Sequence, residues 1–133
     1  MKKIFLILTV FITSLFANHV FWQPNYDRAL AKARDENKTL MVFLIKSNCE
    51  KCKTTVSKVF TNKPYIDKLN KHVVSVIVDL DTKHSFPREM YWSNSYPTLF
   101  FVNSKTETFI QKLFLSDINE KNIKKVLSKI EAK

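Results

Sequence analysis

Cys49 and Cys52 stand three positions apart and are the only cysteines in a chain of 133 residues. They follow an apolar run, Leu40-Met41-Val42-Phe43-Leu44-Ile45, whose lack of polar alternation predicts a strand buried on both faces. After them Cys52, Val56, Val59 and Phe60 recur at helical spacing. The cysteine pair therefore belongs at a strand-to-helix junction, with its first sulfur at a helix N-terminus. Two thiols at this spacing can close a small disulfide ring. The unpaired N–H groups and the macrodipole of the helix favour a thiolate on Cys49, and the thiolate is the species that attacks disulfides. Lys46, Lys51, Lys53 and Lys58 against the single Glu50 give residues 46–58 a formal charge of +3, which acts in the same direction. Cys49 is thus expected to be largely ionised at neutral pH.

Two other readings of the pair stand beside redox exchange. Zinc sites also use Cys-x-x-Cys, but they need further ligands, and His19, His72 and His84, the three histidines, have no ligand spacing to the motif. No metal is expected. A purely structural disulfide would gain little here, because a four-residue loop removes little entropy from the unfolded chain.

The N-terminus bears on where such chemistry takes place. Met1-Lys2-Lys3 is a short basic start, Ile4 to Ala17 is uncharged and mostly large and apolar, and polar residues begin at Asn18. This is the layout of a secretory signal peptide at 1–17, with a mature domain at 18–133. The apolar run is shorter than the ~20 residues a membrane-spanning helix needs, and an uncleaved membrane anchor is the alternative. Export places the chain in the periplasm and removes nucleic acid as a partner of its basic surface. Loss of Lys2 and Lys3 with the leader lowers the formal net charge from +10 to +8, and the remaining lysines are spread along the chain, as on a solvated surface. Glycine is absent, so turns must use Asn, Asp, Ser and Pro.

The mature chain reads as one domain of alternating elements. Asn25 is positioned to cap a helix to about Asn37; 40–45 is a strand; helices follow from Cys49 and from Pro64; His72 to Val78 is a second strand. A helix is expected over roughly 83–92, a third strand at 99–102, and a fourth at 106–114, antiparallel to the third. Asp117 and Glu120 suggest a capping box for a last helix with the apolar stripe Ile123, Val126, Leu127 and Ile130. Asp79 and Asp81 read as turn and cap groups, and Tyr91 and Trp92 as packing at a helix end, with the option that one lines a substrate groove. The order predicts an α/β, three-layer fold: a mixed four-stranded sheet flanked by helices.

With Cys49-Glu50-Lys51-Cys52 after the first strand and Tyr96-Pro97-Thr98-Leu99 before the third, this order resembles the thioredoxin superfamily. Asn37-Lys38-Thr39-Leu40 and Cys52-Lys53 resemble in particular the exported thioredoxin-like proteins related to the periplasmic domain of the DsbD reductase. The resemblance implies that Cys49 is the exposed nucleophile and Cys52 the resolving thiol. It also implies that Pro97 is in the cis form against the cysteines, and that Tyr96 offers backbone groups to an extended substrate. The pattern departs at Asn48, where thioredoxins usually have Trp, at Glu50-Lys51, where they usually have Gly-Pro, and at Phe43, where they usually bury a carboxylate. That carboxylate moves protons during exchange, so its role is vacant here or falls to another group such as Glu50 or water. These departures imply a narrower substrate range than that of a general thioredoxin.

The function expected is that of an exported, monomeric thiol–disulfide oxidoreductase that needs no cofactor beyond its cysteines. Its partners would be disulfide- or thiol-containing exported proteins and a membrane protein that restores its redox state. Reduction of partner disulfides is the favoured direction. A disulfide oxidase and a non-enzymatic binding module with an inert disulfide are the alternatives.

Overall fold

The structure, a computed structural model, describes residues 18–132; the expected leader 1–17 lies outside them. Helices α1 (Tyr26–Asp35), α2 (Glu50–Val59), α3 (Tyr65–His72) and α4 (Glu120–Glu131) alternate with strands β1 (Trp22–Gln23), β2 (Thr39–Ile45), β3 (Val73–Asp79), β4 (Thr98–Val102) and β5 (Phe109–Phe114). The strands form one mixed sheet in the order β1-β3-β2-β4-β5. β1, β3 and β2 run parallel, while β4 and β5 are antiparallel to their neighbours. The sheet thus has five strands where four are expected. β1 pairs Trp22 and Gln23 with Ser75 and Val76, and two residues are too few to leave an alternation in sequence.

Alternation on the central strands builds two cores. Met41, Phe43, Leu99 and Phe101 pack with Phe60, Ile66, Leu69 and the α4 residues Ile123, Val126 and Leu127 on one face. Leu40, Val42, Leu44, Phe100 and Val102 pack with Tyr26, Ala29 and Ala33 of α1 and with Phe86 and Tyr91 on the other. This is the three-layer α/β arrangement expected. Asn25 caps α1 by accepting from the Arg28 N–H at 2.9 Å. Without glycine, left-handed backbone falls to Asn37 (φ 55°), Asn48 (φ 58°) and Asn62 (φ 55°), whose short polar side chain tolerates it, and to Glu107 (φ 55°).

Three expectations need correction. Residues 83–92 form turns and irregular chain rather than a helix. Pro87 lacks an N–H and disfavours helical backbone at Phe86. Arg88 instead holds the Leu80 and Thr82 carbonyls, each at 2.8 Å. β5 begins at Phe109 rather than Thr106, because Asn103 folds the chain back on itself: its Oδ1 accepts from the N–H groups of Lys105 and Thr106. The N-cap of α4 is Asn119, accepting from Asn122 N–H at 2.9 Å, while Asp117 ends a short 3-10 turn, Leu115–Asp117.

Candidate active site

β2 delivers the chain to the end of the sheet at Ile45, and a three-residue turn leads to Cys49, the N-cap of α2. Asn48 takes the left-handed conformation that this turn requires. Cys49 and Cys52 are joined by a disulfide with their Cα atoms 5.2 Å apart. Cys49 Sγ accepts from the Cys52 N–H at 3.1 Å, so the sulfur occupies the place of a capping oxygen. Cys52 lies one turn into the helix and is only 3% exposed, whereas Cys49 is partly open to solvent. Of the two sulfurs, that of Cys49 is the one on the open side of the disulfide.

The turn before the cysteines is tied to β3. The two strands are parallel and in register, with Ile45 opposite Asp79, so residues 79–81 leave the sheet beside residues 45–47. Leu80 N–H donates to the Ile45 carbonyl at 3.0 Å. Ser47 donates its N–H to Asp81 Oδ2 at 2.9 Å and its hydroxyl to Asp79 at 3.2 Å. Asp79 also accepts from the Asp81 N–H. The two aspartates are turn groups, as expected, but cap no helix, since none directly follows them, and the turn they stabilise includes the approach to Cys49. Parallel pairing of the strand that precedes the cysteines with the strand that ends at Asp79 would have revealed this in the sequence.

The Tyr96–Pro97 peptide bond is cis, as the resemblance implied, and lies at the start of β4, where Thr98 pairs with Leu44 of β2. The pair therefore sits beside the end of β2 that leads into Cys49. Hydroxyl groups shape the segment before it: Ser93 and Thr98 are 2.8 Å apart, Thr98 donates to the Ser95 carbonyl at 2.7 Å, and the Tyr96 hydroxyl donates to the Ser93 carbonyl at 2.9 Å. Lys46 Nζ lies 5.5 Å from the centre of the Tyr96 ring, a cation–π distance that ties the turn before the cysteines to the proline segment.

The remaining candidates separate. Glu50 and Lys51 are exposed. Glu50 pairs with Lys53 at 3.7 Å, both side chains largely in solvent, and turns away from the interior. Phe43 is fully buried and packs edge-on against Phe60 and at a tilt against Trp22, at ring separations of 5.4 and 6.1 Å, so an aromatic cluster fills the place where a carboxylate is usual. Tyr91 is core, and Trp92 is 70% exposed. His72 pairs with Glu131 at 3.3 Å at the end of α3. Among the described residues no group of His, Cys, Asp and Glu has the arrangement of a metal site.

Beside the disulfide a cleft of about 570 Å³ opens between α2 and the ends of β2 and β3. Phe43, Ile45, Val56 and Ile77 form its apolar wall, and both cysteines border it. Neither Tyr91, Trp92, Tyr96 nor Pro97 lines it.

An accessible sulfur at a helix N-terminus, covalently joined to a buried sulfur one turn on, is an arrangement that can form a mixed disulfide and then resolve it. In the reduced protein the helix N-terminus will hold Cys49 as thiolate at a pH below the free-cysteine value of about 8.5. Ultraviolet thiolate absorbance should appear below that pH, and iodoacetamide should modify Cys49 before Cys52. Absorbance that rises only above it, or faster modification of Cys52, would contradict the assignment.

The fold is that of thioredoxins. The structure matches the DsbH oxidoreductase over 88% of each chain with a TM-score of 0.68 at 19% identity. It matches a thioredoxin from Thermus thermophilus over 86% of this chain and 88% of that one, with a TM-score of 0.68 at 24% identity. A proposed disulphide isomerase from Bacteroides thetaiotaomicron matches over 86% of this chain and 93% of its own, with a TM-score of 0.63 at 26% identity. No curated protein sequence matches the chain significantly. The sequence model of the Thioredoxin-like family matches residues 21–104, and the chain belongs to that family.

Proposed function

We propose that the chain is an exported thiol–disulfide oxidoreductase that reduces disulfides of other exported proteins. The observation that carries this reading is the Cys49–Cys52 disulfide, with its first sulfur accessible at the N-terminus of α2 and its second buried. Membership of the family and the likeness to the disulphide isomerase support it.

In the reduced enzyme the Cys49 thiolate attacks one sulfur of the partner disulfide. The Cys49–partner bond forms, the partner S–S bond breaks, and the displaced thiolate takes a proton from solvent. Cys52 then loses its proton and attacks Cys49 Sγ, which closes the intramolecular disulfide and releases the second partner thiol. Two electrons pass from the cysteine pair to the partner. A thiol donor must return them, and for an exported chain this is a membrane redox protein; the resemblance to DsbD-related domains points to that kind of relay. Tyr96 and Pro97, at the start of β4 beside the turn that carries Cys49, are placed to guide an extended partner strand. Glu50 and Lys51 lie between the cysteines on the exposed face and contribute charge. The basic, apolar start Met1–Ala17 supports export to the periplasm.

Insulin reduction tests the activity. With a dithiol supplied, the protein should accelerate precipitation of the insulin B chain well above the dithiol alone. A rate equal to the dithiol alone would make the domain a binding module with an inert disulfide.

A further inference from the structure

The cleft beside the disulfide lies on the opposite side of the active-site turn from the Tyr96–Pro97 segment. Its wall is apolar, its volume of about 570 Å³ is in the ~300–1,000 Å³ range of ligand pockets, and Cys49 and Cys52 border it. Any partner cysteine bonded to Cys49 therefore stands at its mouth, and the neighbouring side chains of that partner are within reach of it. Lys53 stands at the rim, in a segment whose formal charge is +3; Lys46 also borders the cleft, but its ammonium lies over the Tyr96 ring. Lys53 is 74% exposed, and its pairing with the still more exposed Glu50 at 3.7 Å is of the weak, solvated kind. One carboxylate, Asp79, also lines the cleft. It already accepts hydrogen bonds from the Ser47 hydroxyl and the Asp81 N–H, which partly compensate its charge.

We propose that this cleft is a second recognition site for the partner polypeptide. It takes a large apolar side chain close in sequence to the partner's cysteine, and Lys53 at its rim favours a carboxylate beside that side chain. This rests on the exchange reading above and adds the class of substrate to it: segments in which cysteine is flanked by an aromatic or large aliphatic residue and an acidic one. The apolar wall supplies affinity by leaving water when the side chain enters. Lys53, within a segment of net positive charge, selects partners of opposite charge and steers their approach. Phe43 and Ile77, which form part of this wall, make it apolar where a carboxylate is usual in the family.

The test uses three short peptides, each joined through its cysteine to a small aliphatic thiol. The first has Phe and Asp beside the cysteine, the second Ser and Asp, and the third Phe and Lys. The rate constants of the reduced protein are compared as ratios, so that changes in Cys49 reactivity cancel. The Phe/Asp peptide should react roughly tenfold faster than the Ser/Asp peptide, the scale on which an apolar pocket discriminates. Val56→Phe, which fills the cleft, should bring that ratio close to one. Lys53→Glu, at an exposed position that folding does not depend on, should invert the preference for the Phe/Asp over the Phe/Lys peptide. Equal rates for Phe/Asp and Ser/Asp in the unaltered protein would overturn the proposal, as would a preference for the Phe/Asp peptide that survives in both variants. A small aliphatic disulfide is the control. If the unaltered protein reduces it but ignores the flanking residues, the cleft fails alone; if it does not react with it at all, the exchange reading fails.

Discussion

In a Cys52→Ser variant, partner proteins will accumulate as mixed disulfides on Cys49, while Cys49→Ser will capture none and will reduce insulin no faster than the uncatalysed reaction. The asymmetry follows from position. Cys49 caps α2 and is partly open, whereas Cys52 is 3% exposed one helical turn inside. With Ser at 52 the first exchange step proceeds but nothing attacks Cys49 Sγ, so the intermediate persists. With Ser at 49 the remaining thiol is screened from a folded partner. Non-reducing electrophoresis followed by peptide mapping reads both outcomes. A partner attached through Cys52, or turnover surviving in Cys49→Ser, would reverse the assigned roles.

Tyr91→Ala will destabilise the domain by about 3–5 kcal/mol, the range for deleting a large buried aromatic side chain, a large part of the ~5–15 kcal/mol that holds a domain together. Tyr91 is fully buried and meets Tyr26, Phe100 and Phe109 at ring separations of 5.4, 5.1 and 5.7 Å. It fixes the irregular segment that leads from β3 to Tyr96 and Pro97. Its hydroxyl lies 2.9 Å from that of Tyr26, and burial holds both phenols above their ordinary pKa. Tyr91→Phe keeps the ring and removes this hydrogen bond, so it should cost about 1 kcal/mol. Urea unfolding of the two variants separates packing from hydrogen bonding. Equal losses would mean that the ring contacts contribute little.

Tyr91 also shows where the sequence was hard to read. Nearly unbroken apolar runs located β2 and β3, because a strand buried on both faces excludes polar residues, and a periodic apolar stripe located α4, because a helix on a sheet needs one. The segment 83–92 has apolar residues at spacings that suit a helix, yet Pro87 and the hold of Arg88 on two carbonyls keep it irregular. Tyr91 is buried there by tertiary contacts, which leave no periodic trace. The two-residue β1 owes its existence to β3 rather than to its own pattern.

The cysteine pair at its strand-to-helix junction was legible from spacing and strand context, and the cis Tyr96–Pro97 bond only through the resemblance of its strand start to the family. The ties from Ser47 to Asp79 and Asp81 join residues more than thirty positions apart, and only the parallel register brings them together. The cleft was hidden for the same reason: Phe43 and Ile77 are neighbours across two strands. Without that pairing, Phe43 reads only as a missing carboxylate.

Redox titration of the Cys49–Cys52 pair against glutathione tests the account most directly. A reductase that exchanges with partner disulfides should titrate reversibly as a two-electron couple with a potential near that of thioredoxin, about −270 mV. A potential near about −120 mV would make the protein an oxidase, and a pair that stays oxidised below about −300 mV would be a structural disulfide with no part in exchange.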